Sequence, residues 1–152
     1  MEKKTYVIAC SVLAVDIKHS AKKSGLDFDY TFLEAGLHNN PKILKEKLQT
    51  AIDNVSDSGL YERIIVGYGI CGKGTIGIKA RNIPLVFPKV HDCITLFLGG
   101  TQAYKTQFKK FPGTFYLSRS FALQGIKRFS RKPAIRWSDI PIIAVRDRKS
   151  VV

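Results

Sequence analysis

The stretch that most limits how this chain can fold is residues 63–75, where RIIV runs straight into GYGICGKGT. A short β-branched apolar run suits a strand buried on both faces, and four glycines within nine residues then demand a tight or closely packed loop at its carboxyl end. Similar runs recur. TYVIACSVL (5–13) is a candidate first strand, DYTFLEAG (29–36) a second, ERIIVGYG a third, IPLVFPKV (83–90) a fourth and TFYLS (114–118) a fifth. Between the second and third lies NNPKILKEKLQTAIDNV, in which Leu44, Leu48, Ala51, Ile52 and Val55 share one helical face, Asn40 can cap and Pro41 suits the first turn. TIGIKARN is expected to form a short helix after the glycines, and the segment from His91 a helix broken at Gly99 and Gly100. Strands alternating with helices define an α/β fold, a mostly parallel sheet with flanking helices in a Rossmann-like three-layer architecture.

At 152 residues the chain is long enough for a domain with a real core. No apolar run approaches the roughly 20 residues of a membrane helix, and no cleavage site follows YVIACSVLAV, so a cytoplasmic location and no membrane partner are expected. Three cysteines, an odd number, argue against a disulfide framework and turn attention to thiol or metal chemistry.

In a parallel sheet, ligands bind beyond the carboxyl ends of the strands. Cys10 lies near the end of the first strand, Cys71 follows the third, and His91 and Cys93 follow the fourth, while Glu34 and His38 follow the second. Thiolate and imidazole are the donors that soft and borderline metals prefer, so Cys10, Cys71, His91 and Cys93 are the candidate ligands, with zinc, an iron–sulfur cluster or the metal of a bound cofactor as occupant. In an extended segment His91 and Cys93, two apart, would face one side, and Asp92 would orient a ligand or take a proton. The competing reading is plain packing, since cysteine often behaves as a small buried hydrophobe.

Gly67, Gly69 and Gly72 also spell GxGxxG, with Lys73, Gly74 and Thr75 following. This makes an anion- or nucleotide-binding module the alternative function, with those six residues as the binding loop. Lys73 lies between glycines and no Ser or Thr follows it directly, so the Walker pattern fails.

The net charge of +13 raises nucleic acid as a third function. From Arg119 onward there are nine Lys and Arg against two Asp and Glu, a net of +7, leaving +6 for the rest. The last six residues, DRKSVV, back-translate with one codon choice to GATCGGAAGAGCGTCGTG, which resembles a widely used sequencing adapter whose next triplet is a stop. The division expected is therefore an α/β domain over 1–118 and a basic, truncated segment over 119–152, with 147–152 artefactual or else an ordinary polar tail. Phe121, Phe129, Trp137, Ile140 and Ile142 would then be more exposed than their composition suggests. With the tail discounted, lysines in FKKF, IKRF and RKP read as solvated faces, and nucleic acid is not the expected partner.

The run of segments IAC, AGLHNNP, GYGICGKGTIGIKAR, IPLVFPKVHDCITLFLGG and PGTFYLS resembles the family catalogued as domain of unknown function 1638, over residues 5 to 118. Its pattern matches Cys10, His38, Gly67, Gly69, Cys71, Gly72, Gly74, Thr75, His91, Asp92 and Cys93. The resemblance implies an accessory role in corrinoid-dependent methyl transfer or one-carbon metabolism, with contact to a corrinoid and a corrinoid protein or methyltransferase as partner.

Overall fold

The computed structural model describes residues 4–118, Ser120 and the backbone of 142–144; of Cys71 it describes the backbone alone. The chain divides into two compact units, Met1–Cys93 and Ile94–Val152. Expectations for the segment from Arg119, including DRKSVV and the five apolar side chains named above, fall outside the described residues.

The first unit is built on four parallel strands, β1 (Lys4–Cys10), β2 (Asp29–Leu33), β3 (Tyr61–Gly67) and β4 (Leu85–Val86), in the order β2-β1-β3-β4. Helix α1 (Ala14–Ser24) joins β1 to β2, and α2 (Pro41–Asp57) joins β2 to β3 by passing over β1. Right-handed crossovers in opposite directions put the two helices on opposite faces of the sheet, which makes three layers. The register aligns Ile8 with Val66 and Tyr6 with Ile64, so Ile8, Val66 and Ile64 point to one face. All three are fully buried, as are Leu44, Leu48 and Ile52 of α2. Each side chain so buried stabilises the fold by about 1.5–3 kcal/mol. Asn40 caps α2 by accepting from Ile43 N at 3.3 Å, and Pro41 occupies the first turn.

Several boundaries differ from the sequence expectation. The first strand stops at Cys10; Ser11–Leu13 forms a 3-10 turn and α1 follows, closed by Gly25 at φ 65° after Lys22 and Lys23. The fourth strand shrinks to Leu85 and Val86, because Pro84 and Pro88 remove the ladder donors on either side. TIGIKARN forms turns rather than a helix, since Lys73 and Gly77 both take positive φ (67° and 77°), which an α-helix cannot accommodate.

The same segment is clipped along α2. Gln49 accepts from Lys79 N at 2.8 Å and donates to its carbonyl at 3.0 Å, Arg81 binds Asp53 through two hydrogen bonds, and Asn82 donates to the Ser56 carbonyl. Paired with Arg81, and also accepting from Gln49, Asp53 has its pKa lowered to about 2. These bonds fix the far end of the glycine loop.

The second unit contains α4 (Thr101–Lys110), after the short helix α3 (Cys93–Phe97), with the interruption at Gly99 and Gly100 where the sequence places it. Here β5 (Phe115–Leu117) pairs in parallel with β6 (Ile142–Ala144), forming a sheet of its own. Tyr104 of α4 packs against Tyr116 of β5, ring centroids 6.3 Å apart.

Candidate functional site

The strand order places a switch point between β1 and β3: the chain leaves β1 toward β2 on one side and leaves β3 toward β4 on the other. The two following connections diverge there and open a crevice at the carboxyl ends. A cavity of about 10 Å³ lies at this point, lined by Cys10, Glu34, Leu37, His38, Gly67, Tyr68 and Cys93. Space of that size holds one water or one ion. Pockets for nucleotides and other cofactor-sized molecules run to hundreds of Å³, so nothing of that class fits inside it as it stands.

Cys10 reaches the wall as the last residue of β1, in the row of Ile8, and is buried. Gly67 ends β3 and Tyr68 follows it, 4% exposed. His38 and Leu37 come from a 3-10 turn between β2 and α2, entered through Gly36 at φ 86°. Glu34, just past β2, also accepts from Lys47 Nζ of α2 at 2.9 Å, which ties the rim of the cavity to the helix. Cys93 starts α3. Two thiols, an imidazole and a carboxylate thus come to the cavity from three connections, after β1, β2 and β4.

His91 behaves differently from the sequence expectation. Residues 91 and 92 form a bend that leads into α3, so His91 and Cys93 do not alternate as in a strand. The imidazole is 81% exposed, with Nδ1 3.4 Å from Asp92 Oδ2, and it does not line the cavity. The Cys71 side chain lies outside the described residues. Its backbone lies in a 3-10 turn whose next residue, Gly72, abuts His38: a methyl at Gly72 would stand 2.7 Å from the His38 carbonyl oxygen. Among the described residues no group of three or more His, Cys, Asp and Glu side chains is gathered in a way that could hold a metal ion.

The glycines that suggested a phosphate cradle are filled by the protein itself. A methyl at Gly69 would lie 2.7 Å from Asp92 N and 2.8 Å from Asp92 Cα, and Ile70 N donates to the Val90 carbonyl beside it. A methyl at Gly74 would strike Leu44 Cδ2 at 2.5 Å, and one at Gly67 would strike Ala9 Cβ at 2.6 Å. Thr75 Oγ1 donates back to the Gly69 carbonyl at 3.3 Å. The loop is glycine-rich because the 91–92 segment, the His38 turn and α2 all press on it. With no helix following Thr75, the backbone N–H groups and dipole that would attract an anion are missing from the motif. Lys73 stands exposed in the loop at φ 67°.

Sequence reasoning missed Leu37 and Tyr68 as cavity residues. For Tyr68 the signal was available, an aromatic between two glycines directly after a buried strand; for Leu37 there was none beyond its place next to His38.

Fold and site together define a doubly wound α/β protein with a cysteine-lined cavity at its switch point. The sequence model of the family described as Protein of unknown function (DUF1638) matches residues 32–142, and the chain belongs to that family. Among curated proteins and solved structures no match to the chain is found. No described helix is long and apolar enough to cross a membrane.

Proposed function

We propose that this protein binds a single thiophilic metal ion, zinc above others, at the carboxyl edge of its sheet. The observation that carries the reading is the switch-point cavity, which has Cys10, Cys93 and His38 on one wall and room for one ion. Zinc takes four ligands from thiolates and imidazoles at about 2.0–2.3 Å, a set this wall supplies in kind. The described side chains are not drawn together into such a set, so in this proposal Cys10, Cys93 and His38 close onto the ion when it binds. Cys71 is the fourth donor in this proposal, because Gly72 holds the adjoining backbone against His38. His91 is left out of the set. An iron–sulfur cluster fits less well, being larger than the space between β1 and β3.

A bound ion would supply Lewis acidity or an activated thiolate. The chain's own part is to hold Cys10 and Cys93 beside the cavity, to exclude bulk water by the packing of Tyr68 and Leu37, and to keep Glu34 paired with Lys47 at the rim. The accessory role in corrinoid-dependent methyl transfer or one-carbon metabolism, with a corrinoid protein or methyltransferase as partner, rests on the family resemblance. A corrinoid would meet the rim rather than enter the cavity.

The test is elemental analysis of anaerobically purified protein. About one zinc per chain is expected, lost in Cys10→Ala, Cys71→Ser and Cys93→Ser and kept in His91→Ala. A wild-type protein without stoichiometric metal ends the proposal, and full metal content in Cys71→Ser refutes the ligand set.

A further inference from the structure

The division of the chain at Cys93 separates its charge sharply. Residues 1–93 carry thirteen Lys and Arg against ten Asp and Glu, a net of +3, while 94–152 carry twelve against two, a net of +10 of the chain's +13. Leaving out 147–152 lowers the second figure only to +9. Between Cys93 and Ser138 there is not one acidic residue in 46, against nine Lys and Arg. An ordinary solvated surface mixes both signs, and a field this one-sided attracts polyanions over distances of about a Debye length.

Within the described part of this unit, aromatic rings accompany the charge. Phe108 is 49% exposed, Phe111 58% and Phe115 43%. Phe108 also stacks on Tyr104 with centroids 6.0 Å apart and planes 19° from parallel. It is thus a ring held in place from one side while half its surface meets solvent. Lys105 and Lys109 flank it one helical turn apart and Lys110 follows, and none of the three has an ion pair among the described residues. Two like charges at i and i+4 repel, and no acid on α4 relieves them. Tyr104, Phe108 and Phe111, spaced i, i+4 and i+7, bring the rings to one side of the helix, with Lys105 and Lys109 beside them.

We propose that this unit binds single-stranded nucleic acid along α4, with Phe108 and its neighbouring rings stacking on unpaired bases and Lys105 and Lys109 contacting phosphates. Single-strand binding sites combine these two elements, a basic track and exposed aromatic faces, and tolerate many sequences because every base has a flat face. The proposal is independent of the metal reading, since it uses none of the same residues.

Fluorescence anisotropy of the full chain with a labelled 20-nucleotide oligouridylate tests it. Saturable binding is expected, weakening with salt by about 0.7 in log–log slope for each phosphate contacted by a lysine. The double variant Lys105→Gln/Lys109→Gln should reduce that slope by about 1.4. Phe108→Ala should weaken binding about fivefold or more with the slope unchanged, which separates stacking from plain charge. Circular dichroism checks that both variants fold, as their exposed positions imply. Absence of oligouridylate binding overturns the proposal. So does equal affinity in Phe108→Ala, or binding to phosphatidylserine vesicles with the same dependence on Phe108 and none to the oligonucleotide.

Discussion

Replacing Gly69 with alanine tests the packing that builds the candidate site. The added methyl would sit 2.7 Å from Asp92 N and 2.8 Å from both Asp92 Cα and the His91 carbonyl carbon. Ordinary van der Waals contact begins near 3.4 Å, so the two chain segments must separate by about 0.6–0.7 Å. All three obstacles are backbone atoms, and no flexible side chain can move aside. The φ of Gly69 is outside the left-handed range, so the cost is steric, and overpacking of this kind costs about 1–3 kcal/mol. For a unit of 93 residues each kcal/mol lowers Tm by about 4–8 °C. A fall of at least about 4 °C is therefore expected by differential scanning fluorimetry. Because Cys93 directly follows the displaced segment, its alkylation by iodoacetamide, followed by peptide mass spectrometry, should also accelerate. Gly113→Ala is the control: among the described residues nothing lies within 4 Å of its added methyl, and its φ is not left-handed, so Tm should stay near the wild-type value. A Gly69→Ala protein that melts within 1 °C of wild type, with unchanged Cys93 labelling, would show that the 91–92 segment does not press on the loop.

Other substitutions read α2, which reaches the rim of the cavity through Lys47 and Glu34. Ser56 is 1% exposed and its hydroxyl has no hydrogen-bond partner among the described residues, so Ser56→Ala should stabilise the protein by about 1 kcal/mol, visible as a higher urea midpoint. Leu48→Ala, at a fully buried position of α2, should cost about 2–5 kcal/mol in the same assay. Asp53, lowered from 3.8 to about 2 chiefly by its hydrogen bond from Arg81, contributes stability that is present above about pH 4 and lost as pH falls through about 2. The urea midpoint of Asp53→Asn should lack that part of the acid-side decline, and parallel curves for the two proteins would show that this surface pair adds nothing.

Much of the site's placement was legible before any coordinates, because the rule used is topological. If Cys10 ends β1 and residues 91–93 follow β4, a parallel sheet must bring them to one edge, and Cys10 and Cys93 do share a cavity wall. The same rule cannot choose between side chains a residue or two apart. It treated His91 as a ligand and His38 as an addition, whereas His38 lines the cavity and His91 faces solvent. Which way a side chain points at a strand end depends on the bend or turn that follows, and those local φ values are set by contacts with distant segments.

The sequence by itself determined the α/β alternation, the amphipathic face and cap of α2, and the break at Gly99 and Gly100, because each depends on periodicity or backbone chemistry within a few residues. It did not reveal α1, whose opening residues, AVDI, continue the apolar run of β1; only the turn at Ser11–Leu13 and the closure at Gly25 separate them. Nor could it say what the glycines of GYGICGKGT were for. A glycine required by a phosphate and one required by a neighbouring backbone look the same in a sequence, and tertiary structure alone decided that the space above Gly69, Gly72 and Gly74 belongs to Asp92, His38 and Leu44.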